Sequence, residues 1–168
     1  MRPGYGRRVS SRFLTDDSLA LVARRLRALG FDVEVARGAR LEELFAAARL
    51  SGATVLTLST RRPGARHFVP VITLPRGDAA AAVRELAARH APELPPFGRC
   101  LECNSVLQSR FAAEARGQVP SGVARSAVML RHCPTCGRWY WEGSHTARLR
   151  AWLEAALGRP LADRRNSS

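Results

Sequence analysis

The sequence predicts an α/β fold, in which a parallel sheet flanked by helices is followed by a small four-cysteine segment and a C-terminal helix. Over the first half of the chain, short apolar runs alternate with amphipathic helical patterns, which is typical of a parallel sheet covered by helices. All four cysteines and all three tryptophans lie after a proline-rich stretch at 91–98. The composition therefore changes where a second unit would begin.

The first three strands and two helices follow one another closely along the chain. Strands are expected at 12–15, 31–35 and 54–58, from short apolar or alternating runs. Between them, one helix is expected to end at Gly30 and the next to run from Leu41 to about Gly52, because glycine commonly ends helices. Arg24, Arg25 and Arg27 are expected on the solvated polar side of the first helix.

The remaining elements are predicted from their boundary residues. A fourth strand is expected at 68–74, and Pro70 within it favours an edge position, because proline cannot donate to a neighbouring strand. Asp78 is expected to cap a third helix. A last helix is expected to begin near Ser144 and to turn apolar side chains inward, namely Leu149, Trp152, Leu153 and Leu157.

Four segments are expected along the chain. Residues 1–11 form a flexible basic N-terminus, 12–91 the α/β domain, 97–158 the cysteine-containing unit with its closing helix, and 159–168 a flexible tail. We find no apolar run long enough to span a membrane and no secretory signal. A cytoplasmic location is therefore expected, where thiols stay reduced.

The charge of the chain is strongly positive. Its formal net charge is +13, and the chain contains 27 arginines and no lysine. Arginine carries a planar, permanently charged fork that suits phosphate and stacks on bases, so RNA or DNA is the expected partner. Arginine-rich composition from GC-rich coding is the alternative explanation, since charge alone does not identify a partner.

The four cysteines form two C-x-x-C pairs, Cys100 with Cys103 and Cys133 with Cys136. Two such pairs supply the four thiolates of a closed tetrahedral zinc site, and this pattern is specific. Residues 104–132 make a longer spacer than is common in zinc ribbons. Free or redox-active thiols are the alternative. A closed site leaves no position for a substrate, so the predicted zinc is structural.

Acidic residues are predicted at the carboxyl ends of the strands, where ligands bind to open parallel sheets. Asp16 and Asp17 follow the first strand, Asp78 follows the fourth, and Glu42 and Glu43 begin the second helix. Carboxylates gathered there would hold Mg²⁺ or Mn²⁺ and act on a phosphodiester. The alternative is that these residues are helix caps and solvated charges.

Three segments resemble a known family: RFLTDD at 12–17, RALGFD at 27–32 and CPTCGRWYWEGSH at 133–145. They look like the PIN-like ribonuclease domain named after the C-terminal part of the Mut-seven exonuclease. The similarity covers about 12–157. The resemblance implies a PIN-type α/β domain with a C-terminal zinc ribbon and a metal-dependent endoribonuclease activity.

The resemblance also implies site residues. Asp16 matches the acidic position after the first strand, Glu42 or Glu43 the acidic start of the second helix, and Asp78 the acidic position after the fourth strand. The position after the third strand departs from the family, because Thr60 stands where an aspartate is typical.

Two functions follow from these matches and this departure. The first is hydrolysis of RNA by one or two Mg²⁺ or Mn²⁺ ions, with Asp16 as principal ligand. The alternative, which Thr60 favours, is a non-catalytic RNA-binding or ribosome-associated adaptor. For RNA contact we single out four basic residues, Arg61, Arg62, Arg66 and His145.

Trp139 and Trp141 would share one face of a strand, with Tyr140 on the other. Exposed aromatic side chains among arginines stack on bases, whereas buried ones would pack the ribbon against the sheet domain or the final helix. Packing is favoured here because a small unit has few other core residues.

Overall fold

A computed structural model describes residues 12–63 and 68–162 of the chain. Four strands form a parallel sheet in the order β2-β1-β3-β4. They are β1 (Arg12–Thr15), β2 (Asp32–Val35), β3 (Thr54–Thr57) and β4 (Val71–Thr73). Three helices connect or follow them, α1 (Ala20–Leu29), α2 (Leu41–Ser51) and α3 (Ala79–Arg89). The predicted α/β fold with a parallel sheet is confirmed.

The sheet buries a separate core on each face. Phe13 of β1 packs with side chains of α1 and α3, whereas Leu14, its neighbour in the strand, packs with Leu44 and Phe45 of α2. Successive side chains of a strand point to opposite faces, so α1 and α3 cover one side and α2 the other. The connection from β1 runs through α1 to β2 on one side, whereas the connection from β3 runs to β4 on the other side, and this divergence creates a crevice at the carboxyl ends of β1 and β3.

The fourth strand is shorter than predicted. It spans only Val71–Thr73, and Phe68 lies outside it with 91% of its surface exposed. Pro70 supplies a carbonyl to the Val55 amide at 2.9 Å but has no amide hydrogen to donate. The predicted edge position of β4 is confirmed.

The proline-rich stretch at 91–98 lies against the end of α1. Phe97 donates its amide to Ala28 O at 2.7 Å, and Leu94 donates to Gly30 O at 3.3 Å. Gly30 has φ +100°, and a Cβ there would lie 1.9 Å from Leu94 O. Only glycine meets both demands, so the residue that ends α1 also lets this segment pack closely.

The cysteine-containing unit has its own sheet and core. Three antiparallel strands lie in the order β5-β6-β7: β5 (Gln108–Phe111), β6 (Met129–His132) and β7 (Trp139–Tyr140). A short helix, α4 (Ser121–Ser126), precedes β6. Trp139 and Trp141 pack against a small buried cluster that includes Ala115 and Leu130. Strands β5 and β6 and helix α4 therefore lie within the spacer at 104–132. Both tryptophans have a packing role, but within the cysteine-containing unit itself, whereas packing against the parallel sheet or the last helix was predicted.

The last helix returns to the first core. It is α5 (Ser144–Leu157), which begins where it was expected. Leu153 is fully buried in the core shared with α1 and α3, and Leu149, Trp152 and Leu157 pack against the same core. The Arg25 guanidinium lies 4.3 Å from the Trp152 ring centroid. No helix within 12–63 and 68–162 has the length and apolar character to cross a membrane.

Candidate metal centre and candidate active site

The four cysteine Sγ atoms converge on one point, all within 4.8 Å of one another. Cys100 Sγ lies 3.6 Å from Cys136 Sγ, and Cys103 Sγ lies 3.4 Å from Cys133 Sγ. A tetrahedral zinc ion with Zn–S bonds of about 2.3 Å requires S···S distances of about 3.8 Å, so the cluster has nearly the size that zinc needs. It could hold a structural metal such as zinc, as the spacing predicts.

Each cysteine pair belongs to a tight turn. In the first knuckle (100–104), Asn104 donates its amide to Cys100 O at 3.0 Å, and in the second (133–137) Gly137 donates to Cys133 O at 3.0 Å. Asn104 and Gly137 have φ of 68° and 73°, in the region that asparagine and glycine tolerate best. The turns therefore place the thiols through local backbone geometry.

The thiols differ in acidity. Burial acts to raise the pKa of Cys103, but hydrogen bonds with Ser105 lower it to about 6. Burial raises the pKa of Cys133. The Tyr140 hydroxyl lies 3.0 Å from Cys100 Sγ, on the opposite side of β7 from the two tryptophans. A bound zinc ion would displace the remaining protons and hold all four sulfurs as thiolates.

The first knuckle is bound to the parallel sheet through Arg27. This side chain is 4% exposed, and burial lowers its pKa. Its Nε donates to Val33 O at 2.8 Å, and its Nη1 donates to Leu101 O and Glu102 O, each at 2.9 Å. The expectation that Arg27 lies on a solvated face is wrong, because the knuckle covers that part of α1.

Asn104 makes a second connection at the same place. Its Oδ1 accepts from the Val33 amide at 3.2 Å, and its Nδ2 donates to Asp32 Oδ1. Arg27 and Asp32 both belong to the RALGFD segment that carries the family resemblance, which was the one signal of this contact.

At the carboxyl edge of the parallel sheet, where β1 to β4 end, Asp16 follows β1 and is half-buried. Its Oδ1 accepts from the Ser18 amide at 2.8 Å and from the Ser18 hydroxyl. Asp17 is exposed; its Oδ2 accepts from the Gly38 amide at 2.6 Å, and its Oδ1 lies 3.6 Å from Arg37 Nη1. Asp17 therefore ties the end of β1 to the loop after β2.

The other predicted acidic residues begin helices. Asp78 Oδ1 accepts from the Ala81 amide at 2.8 Å, and Glu43 Oε2 accepts from the Arg40 amide at 2.8 Å. Glu42 is exposed in the first turn of α2. Within the described ranges, the cysteines are the only group of three or more His, Cys, Asp or Glu side chains placed to share an ion. The catalytic assignment of the four acidic residues stays a prediction.

Guanidinium groups lie at the carboxyl ends of β3 and β4. Arg62 donates from Nη2 to Thr73 Oγ1 at 2.9 Å and from Nη1 to Ser59 O at 2.8 Å. Arg76, which sequence reasoning did not select, donates to Leu58 O at 3.1 Å. Thr60 is exposed beside them. Positive charge therefore lies where the resemblance implies a carboxylate.

The remaining basic residues selected for RNA contact are dispersed. Arg61 is exposed in the loop after β3, and His145 is exposed in the first turn of α5. Arg66 lies outside the described residues, as do the predicted N-terminus at 1–11 and the part of the predicted tail (159–168) that spans 163–168. Their contact with RNA stays a prediction.

A model of the Mut7-C RNAse domain family matches residues 11–153. This range closely follows the stretch of 12–157 over which the resemblance was expected. No curated protein and no solved structure matches the chain.

Proposed function

We propose that this chain, which belongs to the Mut7-C RNAse domain family, binds RNA at the carboxyl edge of its parallel sheet and hydrolyses phosphodiester bonds there with a divalent cation. The family match indicates a ribonuclease-type function. The proposal adds two points to that match: cleavage requires Mg²⁺ or Mn²⁺, and individual residues bind the cation and the RNA.

The position of Asp16 is the observation that carries the proposal. Asp16 directly follows β1, beside the crevice where open α/β sheets bind their ligands. Both of its hydrogen bonds use Oδ1. Among the described residues no donor contacts Oδ2, so this oxygen is available to a cation while Oδ1 holds the turn.

Few protein ligands are needed at such a site. Mg²⁺ usually keeps several waters and binds through one or two carboxylates together with phosphate oxygens. Asp78 and Glu43 or Glu42 would assist Asp16 in this arrangement. The cation supplies polarisation of the phosphodiester and a more acidic water. Arg61 and Arg62 would contact neighbouring phosphates of the RNA.

Cleavage of labelled single-stranded and structured RNA tests the proposal. We compare the zinc-loaded wild type with Asp16→Asn, which keeps an oxygen for Ser18 but removes the charge, with and without Mg²⁺ or Mn²⁺. Cleavage should require the cation and fall by about 100-fold or more in Asp16→Asn, because loss of even an outer-shell partner of a metal ligand costs 10–100-fold. Asp17→Asn is the matched control and should retain most activity.

A non-catalytic RNA-binding protein, such as a ribosome-associated adaptor, is the second candidate. It is favoured by Thr60 and by the guanidinium groups of Arg62 and Arg76 at the exit of β3. RNA binding by a folded, zinc-loaded wild type that cleaves in neither Mg²⁺ nor Mn²⁺ would select this candidate and reject the first.

The proposal also includes a cytoplasmic location and a division into an α/β domain at 12–91 and a zinc-binding unit at 97–158. A reduced cytoplasm keeps four thiols available to zinc. Localisation of a tagged chain and limited proteolysis near 91–98 check these two points.

A further inference from the structure

A cationic cavity lies beside the carboxyl edge, between α1, the residues that follow β2 and the first knuckle. Its volume is about 290 Å³. Three arginines line it, Arg24, Arg27 and Arg37, together with one carboxylate, Glu102. Neither the predicted zinc site nor the predicted catalytic residues include any of these four side chains. Three positive charges against one negative charge leave the wall cationic.

The three guanidinium groups are held in different ways. Arg24 Nη2 lies 2.8 Å from Glu102 Oε1, and Arg37 Nη1 lies 3.6 Å from Asp17 Oδ1. These two side chains are 52% and 68% exposed, so they can exchange a carboxylate partner for another anion at little cost. Arg27 is fixed by three backbone carbonyls and keeps its place.

The charges in the cavity are close enough to affect one another. Burial is the main cause that lowers the pKa of Arg27; the charge of Arg37 acts in the same direction, and the charges of Cys100, Cys103 and Glu102 act in the opposite one. An anion between Arg27 and Arg37 would relieve their repulsion. Arginine forks match the oxygens of phosphate and bind them in pairs.

We propose that this cavity binds a phosphate group of RNA and so positions the strand beside Asp16. Asp17, the partner of Arg37, directly follows Asp16 in the chain, which places the cavity next to the edge where cleavage is proposed. The identity of the ligand rests on the proposed function. The phosphate is either a phosphodiester within the strand or the monoester at a 5′ end, and the two share the same recognition chemistry.

The first experiment measures binding of two RNA oligonucleotides that differ only in a 5′-phosphate or a 5′-hydroxyl. Zinc-loaded protein without added Mg²⁺ or Mn²⁺ is used, so that binding is separated from cleavage. The test variant carries Arg24→Gln and Arg37→Gln. The control carries Arg89→Gln and Arg159→Gln, which remove the same charge from exposed arginines that do not line the cavity.

The test variant should bind RNA at least about tenfold more weakly than the control, and the slope of log affinity against log salt should become shallower by about 0.7, the value for one phosphate contact on single strands. An equal loss on both oligonucleotides identifies a phosphodiester. A loss confined to the 5′-phosphorylated oligonucleotide identifies the terminal phosphate. Affinities equal to those of the control on both oligonucleotides would overturn the proposal.

A second measurement separates this inference from the proposed function. Inorganic phosphate is titrated at constant ionic strength while the thermal unfolding of the wild type and both variants is followed. If the wild type binds no RNA, but phosphate stabilises the wild type and the control and not the test variant, the cavity is a phosphate site and the RNA function is rejected. If phosphate stabilises none of them and RNA does not bind, both ideas are rejected.

Discussion

The cysteine cluster and the carboxyl edge show two different outcomes of the same kind of sequence prediction. Four thiols from two short turns lie within 4.8 Å of one another, whereas the four acidic residues do not join a comparable group within the described residues. Each cysteine pair is positioned by hydrogen bonds inside its own turn. Asp16, Asp78 and Glu43 come from separate elements, and each bonds to backbone close in sequence. Local spacing therefore predicts a site more securely than residues that must meet across a sheet.

The two regions are nevertheless physically connected. Arg27 joins the first knuckle to β2, and Arg24 pairs with Glu102 of the same knuckle. Glu102 of the first knuckle also lines the cavity beside the carboxyl edge. Metal bound by the cysteines would thus stabilise a surface on which RNA is proposed to lie.

Removal of the metal is the largest disturbance that we predict. Chelation, or Cys133→Ser, should unfold the unit around β5 to β7 and lower the free energy of unfolding by several kcal/mol, because structural zinc sites contribute about 10–16 kcal/mol of apparent binding energy in zinc-finger peptides. Metal content by mass spectrometry, together with thermal unfolding before and after chelation, measures this.

Two controls make the metal experiment decisive. Adding zinc back should restore the unfolding temperature of the wild type, and adding Mg²⁺ should not. A purified protein that contains no metal, reacts at all four thiols and unfolds at the same temperature after chelation would refute the structural zinc site.

Arg27→Met should have the next largest effect. It keeps a long apolar side chain but leaves three carbonyls, those of Val33, Leu101 and Glu102, without their donor. We expect a loss of about 3 kcal/mol in the free energy of unfolding, because each buried unsatisfied group costs about 1–3 kcal/mol. Urea unfolding of zinc-loaded protein measures it.

Arg24→Met is the matched control for Arg27. It lies one turn earlier in α1 and pairs with the same knuckle, but its side chain is 52% exposed, so its loss should cost about 0–1 kcal/mol. Equal losses in the two variants would contradict the view that Arg27 anchors the knuckle.

The sequence identified those features of the fold that depend on local pattern. Apolar periodicity and glycine stops predicted α1, α2 and the first three strands, since each has a buried face and a clear end. The strand β5 was missed because all four of its residues are exposed and show no alternation. The small core of the cysteine-containing unit includes alanines such as Ala112 and Ala115, and alanine in a sequence does not indicate burial.

The functional residues, too, could be predicted only where they follow a local sequence pattern. The C-x-x-C spacing identified all four cysteines, but nothing in the pattern of α1 separates buried Arg27 from exposed Arg24. The difference arises because residues 100–104, far along the chain, cover one and not the other. The use of carboxylates as caps was an open alternative that could be decided only by seeing which amides they accept.

Substitutions of Asp78 should have the smallest effect on stability, and they distinguish its role as a helix cap from its proposed role as a cation ligand. Asp78→Ala removes the acceptor for the Ala81 amide and should lower the free energy of unfolding by about 1 kcal/mol, whereas Asp78→Asn keeps a good cap and should leave it nearly unchanged. If Asp78 also assists a cation, both variants should lose cleavage to a similar degree, because both lack the carboxylate. Cleavage that survives in Asp78→Asn would assign Asp78 to the cap alone and leave Asp16 as the principal ligand without it.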